Sequence, residues 1–114
     1  MEKKNLDWKH IGFAYHTTDY RYVADYKDGK WQEGYMSDSP NIVLNECAGI
    51  MQYCQEVFEG LKAYETADGR IVTFRSDLNA DRMYHSAERM EMPPFPKERF
   101  IEAVEKVVKA NEAW

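Results

Sequence analysis

The chain has 114 residues and a formal net charge of −5, and 44% of its residues are hydrophobic. This is the composition of a single folded globular domain, and it is too apolar for a disordered chain. The acidic balance argues against nucleic acid as a partner, and the lack of any run of 18 apolar residues excludes a membrane-spanning helix, so no membrane is expected either.

The cysteines and histidines bear on compartment and on metal binding. No apolar stretch follows the charged N-terminus, so we expect no secretory signal and a cytoplasmic protein. Cys47 and Cys54 are then expected to be reduced and buried as small hydrophobic residues, with a disulfide between them as the alternative. The histidines have no metal-ligand spacing with these cysteines, so the sequence predicts no metal site.

The first third of the chain favours strands. The first ten residues are polar and, apart from Trp8, we expect them to be frayed. Between 12 and 35 strand-forming residues predominate, and the run from Tyr20 to Tyr26 alternates with the period of a half-buried strand. Asp28-Gly29 lies between two such runs and predicts a tight hairpin, because both turn positions need a positive φ.

The middle of the chain gives weaker signals. A short strand is predicted at 42–44, and residues 45–56 fit either a helical turn or an irregular connection. Residues 57–65 are predicted to form a strand, and a turn joins them to a partner strand at 70–75. Gly60 falls inside the first of these strands, where a glycine often marks the close approach of a ligand or of backbone.

Two helices are predicted to follow. Ser76 can cap the first, and Pro96 stands just before the second, which begins near Lys97. The first has a helical repeat of small and apolar residues; the second has an apolar stripe and outward-facing pairs of opposite charge. The repeat of the first helix consists of Ala80, Met83, Ala87 and Met90. The stripe of the second helix consists of Phe100, Val104, Val107 and Val108, and its charged pairs are Glu102–Lys106 and Glu105–Lys109.

Strands followed by helices predict an α+β class. We expect one antiparallel β-sheet built from hairpins, with the two C-terminal helices packed against it. The sequence lacks the glycine-rich and nucleophile motifs of self-contained active sites. Within 53–64, Tyr53 and Phe58 could line an apolar pocket. The alternative from the residues alone is that Phe58, Leu61 and Tyr64 are core residues and Gly60 a bulge.

The segment Gln-Glu-Val-Phe-Glu-Gly-Leu-Lys-Ala-Tyr at 55–64 resembles the signature of branched-chain amino acid aminotransferases. The resemblance continues through Asn79-Ala80-Asp81-Arg82-Met83 to Trp114 and covers essentially the whole chain. That family consists of fold-type IV enzymes that use pyridoxal 5′-phosphate. The resemblance implies that residues 1–114 are the N-terminal small domain, truncated before the large domain that carries the Schiff-base lysine.

The resemblance also implies roles for particular residues. Arg82 matches the arginine that binds the cofactor phosphate, and the alternative is a surface arginine paired with Asp81 or Glu88. Tyr53, Phe58 and Phe13 match the substrate side-chain pocket, and Tyr53 reaches the active site of the other subunit in the homodimer. No catalytic residue is assigned in this chain, because none of its lysines matches the Schiff-base position. The chain alone is therefore expected to be inactive.

Other implications concern substrates and partners. The longer enzyme would transfer the amino group of leucine, isoleucine or valine to 2-oxoglutarate, and its partners would be the missing large domain and a second subunit. Cys54 stands where many members carry glycine, which affects the expected substrate preference. No role follows for Glu59 or Lys62, for which salt-bridged residues of the sheet are the alternative.

Two other interpretations stay open at this point. One is a different fold-type IV enzyme, such as a D-amino acid aminotransferase or an aminodeoxychorismate lyase, although these look less like residues 53–64. The other is a stand-alone binding or regulatory module derived from the same fold.

Overall fold

The computed structural model describes residues 2–114 and combines short strands with helices. The strands are β1 (Arg21–Val23), β2 (Tyr26–Lys27), β3 (Lys30–Trp31), β4 (Tyr35–Ser37), β5 (Ala63–Glu65) and β6 (Ile71–Thr73). The helices are α1 (Gly49–Tyr53), α2 (Ser76–Arg89) and α3 (Lys97–Ala110).

The first four strands form one interrupted hairpin. β1 pairs antiparallel with β4, with Tyr22 opposite Met36, and β2 pairs with β3 nearer the tip. A hydrogen bond of 2.8 Å from the Gln32 N–H to the Asp25 carbonyl continues the pairing between the two ladders. The tip has positive φ at both Asp28 and Gly29, 53° and 74°, which confirms the predicted hairpin turn.

The strands do not join into one sheet. β5 and β6 form a separate antiparallel pair, and in the described part of the chain no ladder links it to the long hairpin. The α+β class is confirmed, but the predicted single antiparallel sheet is wrong. Residues 57–62 and 42–44, predicted as strands, are irregular. The backbone of the first segment bonds to a side chain of α2 instead of to a neighbouring strand, since the Gly60 carbonyl accepts from Asn79 at 3.0 Å.

Residues 45–56 resolve in favour of a helical turn. The Asn45 side chain accepts the Cys47 N–H at 2.8 Å and turns the chain before α1 begins. The residue after the helix, Cys54, has a φ of 52° and donates its N–H to the Gly49 carbonyl. Cys47 and Cys54 are unpaired and both exposed, so the prediction that they are buried is wrong.

α2 begins one residue earlier than a serine cap would place it. Ser76 is already helical, the preceding Arg75 has a φ of 50°, and no side chain caps the end, so the predicted Ser76 cap is wrong. Asp77 in the first turn is instead held by Arg75, with two N–O distances of 2.8 and 2.9 Å. Ala80 and Ala87 are buried, as the helical repeat predicts.

α3 begins at Lys97, as predicted, directly after Pro96. Its apolar stripe is half-buried, and the helix packs against both β1 and α2. Glu102 and Lys106 form the predicted i,i+4 ion pair at 2.6 Å. Glu105 and Lys109 do not pair within the described residues.

An aromatic cluster joins the hairpin to the proline-rich connection between α2 and α3. The Trp31 indole N–H donates to the Pro94 carbonyl at 2.9 Å. Its ring stands edge-on to Tyr26 and to Phe95, with centroid distances of 5.3 and 4.9 Å. The Arg99 guanidinium lies 5.1 Å from the Phe95 ring. The hairpin is thereby fixed over the start of α3.

The N-terminal segment is bound to the end of the chain at Lys3 and Lys4, so the prediction of fraying is wrong for these two residues, while Met1 lies outside the described residues. The Lys4 N–H donates to the Ala113 carbonyl at 2.6 Å, and Lys3 Nζ donates to the Glu112 carbonyl at 2.8 Å. Lys4 Nζ also lies 3.9 Å from the centre of the Trp114 ring and pairs with Asp19.

The core is thin. Among residues 2–114, only Ala80, Ala87 and Ala113 are buried hydrophobic residues, and no large side chain is fully buried. An apolar cavity of about 660 Å³ lies where β1 meets the stripe of α3, and residues of both line it. None of the described helices has the length and hydropathy needed to cross a membrane.

Candidate functional site

The site is built where α2 faces the irregular segment 57–62. Asn79 and Arg82 are separated by one helical turn, so their side chains project from the same face of α2. Both reach Glu59, which stands between Phe58 and Gly60 in the sequence. The site therefore joins two parts of the chain that are 23 residues apart.

Glu59 is the acceptor at the centre of this site. Arg82 Nε lies 3.0 Å from each carboxylate oxygen, and Arg82 Nη2 donates to Oε1. Asn79 Nδ2 and the Gly60 N–H also donate to Oε1, at 3.2 and 3.3 Å. The Glu59 side chain is only 4% exposed, so these donors compensate a carboxylate that is almost removed from water.

The charges of the pair stabilise each other. Hydrogen bonds from Arg82 are the main cause that holds the pKa of Glu59 below its ordinary value; burial opposes them, and the hydrogen bond from Asn79 adds to the lowering. The carboxylate in turn raises the pKa of Arg82, again mainly through the hydrogen bonds. Both groups are therefore charged at neutral pH, as a fixed ion pair.

One edge of Arg82 is left open. The Arg82 side chain is 68% exposed, and Nη1 takes part in no hydrogen bond within residues 2–114. The alternative partners foreseen for Arg82 are occupied: Asp81 pairs with Lys97 at 2.8 Å and Glu88 with His85 at 3.0 Å. An exposed guanidinium edge with two N–H donors suits the oxygens of a phosphate, so the residues present fit a phosphate-bearing group.

The three aromatic residues expected at a substrate pocket lie on separate segments. Phe13 precedes β1, Tyr53 ends α1, and Phe58 adjoins Glu59. All are highly exposed, with Tyr53 at 84% and Phe58 at 90%, and none lines the cavity beside β1. Within residues 2–114 the structure does not bring them into one enclosed pocket. The alternative that Phe58 is a core residue is wrong, as is the alternative that Gly60 is a strand bulge.

Sequence reasoning missed the partners of Arg82. Glu59 lies in the signature segment, where the resemblance assigns it no role, and the alternative from the sequence is a salt bridge within the sheet. Its salt bridge instead runs to a helix, and Asn79 completes the contact. No spacing rule links residues so far apart. The one sequence feature that could have indicated Glu59 is an acidic residue next to a glycine, in a segment flanked by apolar residues.

Known proteins similar to this chain are aminotransferases. Over 97% of its length it is 47% identical to a branched-chain-amino-acid aminotransferase of Haemophilus influenzae and 42% identical to one of Helicobacter pylori. Over 96% it is 41% identical to a methionine aminotransferase of Arabidopsis thaliana. The chain spans about a third of each relative: 32%, 33% and 31%. A scan against models of protein families gives no match. These likenesses confirm the resemblance carried by residues 55–64.

Proposed function

This chain is a homologue of branched-chain-amino-acid aminotransferases, and we propose that it is the N-terminal small domain of such an enzyme, of fold type IV. The longer protein would use pyridoxal 5′-phosphate and transfer the amino group of leucine, isoleucine or valine to 2-oxoglutarate. Two facts support this: the chain spans about a third of the length of its relatives, and no large side chain among residues 2–114 is fully buried.

The observation that carries the proposal is the open edge of Arg82. The guanidinium is charged, held on one side by Glu59, and exposed on the side of Nη1. Arginine binds phosphate oxygens with a planar pair of donors, and such charge-assisted contacts are stronger than neutral ones. In this role Arg82 would hold the cofactor by its phosphate and thereby fix where the ring lies.

The cofactor, when bound, supplies an electron sink for the carbanion at the α-carbon of the amino acid. The contribution of this chain is position and shape. Phe13, Tyr53 and Phe58 would form apolar walls for the substrate side chain once the rest of the protein covers them. Burial in such walls is worth about 0.8 kcal/mol per methylene.

Such a pocket separates related aliphatic substrates poorly. One methylene changes the discrimination by only about 1–3 kcal/mol, so leucine, isoleucine and valine would all be accepted. The methionine aminotransferase among the relatives makes methionine the second candidate substrate. Cys54, beside Tyr53, has a φ of 52°, a conformation in which glycine is unstrained. A side chain there adds volume at the edge of the tyrosine wall.

Location and assembly are part of the same proposal. We expect a cytoplasmic homodimer in which Tyr53 contributes to the site of the second subunit. The high exposure of Tyr53 supports this, because its ring has little contact with its own chain. The chain alone, without a lysine at the required position, would have no transaminase activity.

The test is a pair of arginine variants in protein expressed from the full reading frame. Arg82→Ala is expected to raise the dissociation constant for pyridoxal 5′-phosphate about ten- to a hundred-fold, through loss of a charge-assisted contact. Arg89→Ala is the matched control, since Arg89 lies on the same helix, is exposed, and makes no ion pair among the described residues. Equal dissociation constants for the two variants would refute the role of Arg82.

A further inference from the structure

We propose that Glu59 is a positioning residue that orients Arg82 toward the phosphate of the cofactor. This inference rests on the proposed function, since it assumes that Arg82 binds that phosphate. It adds to that proposal the group that holds the Arg82 guanidinium in place before the cofactor binds.

The first argument is conformational. Arg82 projects from the exposed face of α2, where a long side chain would otherwise sample many rotamers. All three hydrogen bonds from its Nε and Nη2 edge end on Glu59, so the plane of the guanidinium is set and the Nη1 edge points away from the carboxylate. A binding group that is already ordered loses less entropy when its ligand binds.

The second argument concerns how Glu59 is itself held. Its side chain is 4% exposed, and it accepts hydrogen bonds from Asn79 and from the Gly60 N–H as well as from Arg82. Asn79 also donates to the Gly60 carbonyl at 3.0 Å, which fixes the backbone on the far side of Glu59. The carboxylate is thus a rigid support.

Electrostatic repulsion alone predicts that loss of the Glu59 charge strengthens cofactor binding, whereas the positioning role predicts that it weakens binding. An experiment can therefore decide between the two. A carboxylate close to a phosphate repels it, so removal of its charge would tighten cofactor binding if Glu59 merely competed for Arg82. If Glu59 positions Arg82, removal of its charge weakens binding. Because donors from three residues compensate the Glu59 carboxylate, we expect the positioning effect to be larger.

The experiment compares Glu59→Gln with Glu56→Gln in protein from the full reading frame, with pyridoxal 5′-phosphate and pyridoxal as probes. Glu56 is exposed, lies on the same segment and has no ion pair among the described residues, so its variant makes the same charge change without the contact. Glu59→Gln should raise the dissociation constant for pyridoxal 5′-phosphate about ten-fold and leave that for pyridoxal unchanged. Glu56→Gln should change neither.

A double variant separates positioning from general damage. If Glu59 acts through Arg82, adding Glu59→Gln to Arg82→Ala causes no further loss of cofactor binding, whereas a general loss of structure would add to that loss.

In the cofactor-free protein, the Arg82 Nε–H nitrogen resonance should be sharp and slow to exchange, and Glu59→Gln should broaden it. Glu59→Asp keeps the charge but shortens the side chain, and it replaces the glutamine variant in this test if that variant does not fold. It should give a smaller loss of the same kind.

The outcomes distinguish this inference from the proposed function. If Arg82→Ala leaves cofactor binding unchanged, the assignment of Arg82 fails and the inference fails with it. If Arg82→Ala weakens binding but the Glu59 variants leave it unchanged, tighten it, or add to the effect of Arg82→Ala, only the positioning role is overturned.

Discussion

The side-chain amide of Asn111, the residue after α3, forms hydrogen bonds with both backbone groups of Tyr20, as a neighbouring strand would. Its Oδ1 accepts the Tyr20 N–H at 3.0 Å, and its Nδ2 donates to the Tyr20 carbonyl at 2.8 Å. Nδ2 also donates to the Val107 carbonyl in the last turn of α3, at 2.9 Å. One side-chain amide therefore replaces a neighbouring strand for the residue that leads into β1. This contact spans 91 residues of sequence.

We expect Asn111→Ala to lower the free energy of unfolding by about 1–2 kcal/mol, because it leaves the backbone N–H and carbonyl of Tyr20 without their partner. Urea denaturation of the 114-residue chain measures this. Asn41→Ala is the control, since Asn41 is exposed and its side chain makes no hydrogen bond within residues 2–114. If the two variants have the same midpoint, the Asn111 bridge does not stabilise the fold.

Trp31→Phe tests the aromatic cluster. The substitution keeps a ring beside Tyr26 and Phe95 but removes the indole N–H that donates to Pro94. We expect a loss of about 1 kcal/mol in unfolding free energy. Trp8→Phe should cost less, since Trp8 is largely exposed and its indole has no such bond among the described residues. Equal costs for the two variants would contradict the importance of this bond.

The features that the sequence predicted correctly are local. The hairpin tip depends on two adjacent residues, and the buried positions of α2 depend on the helical repeat, so each is determined within a few residues. Of the strand predicted at 57–65, only 63–65 is confirmed, because only these residues lie opposite the predicted partner that follows the turn. In the structure, residues 57–62 bond to α2, and only β5 pairs.

The same reasoning applies to the candidate site. Arg82 is indicated as a phosphate-binding residue by the resemblance to a family. Its contact with Glu59 joins distant parts of the chain, and no local sequence pattern predicts it. The early residues were expected to be frayed because they are polar, yet Lys3 and Lys4 find carbonyl partners only after the whole chain has folded.

Stability should fall in acid. The pKa values of Glu59, Asp19 and Glu102 are held below their ordinary values, chiefly by hydrogen bonds from Arg82, Lys4 and Lys106 respectively. The unfolded chain therefore takes up protons at a pH where the folded chain does not. The stabilisation is present above the ordinary carboxyl pKa and is lost as pH falls below about 5.

Unfolding free energies measured from pH 7 to pH 3 would check this. Glu59→Gln should make the decline shallower than in the unmodified chain, because one of the groups with a lowered pKa is removed. Glu56→Gln is the comparison, and an identical slope for the two variants would rule out a contribution from Glu59.

Exposed aromatic residues should make the 114-residue chain self-associate. Phe58 has no polar atom in its side chain and is 90% exposed, whereas the Tyr53 hydroxyl can stay hydrated. Light scattering over a concentration series should detect association that Phe58→Ser reduces more than Tyr53→Ser does. A strict monomer at high micromolar concentration, unaffected by either substitution, would show that this surface does not drive association.

The hydrogen bond between Lys4 and Ala113 brings the two ends of the described chain together on one side of the molecule. A linker of a few residues would close the chain into a ring, which could be reopened at the Asp28-Gly29 turn. In such a circular permutant the contact of Asn111 with Tyr20, which now spans 91 residues, would span far fewer. The pairings of β1 with β4 and of β2 with β3, which are now local, would instead join the two new ends of the chain. Because closing a longer loop costs more entropy, the rearranged chain should fold more slowly than the original order.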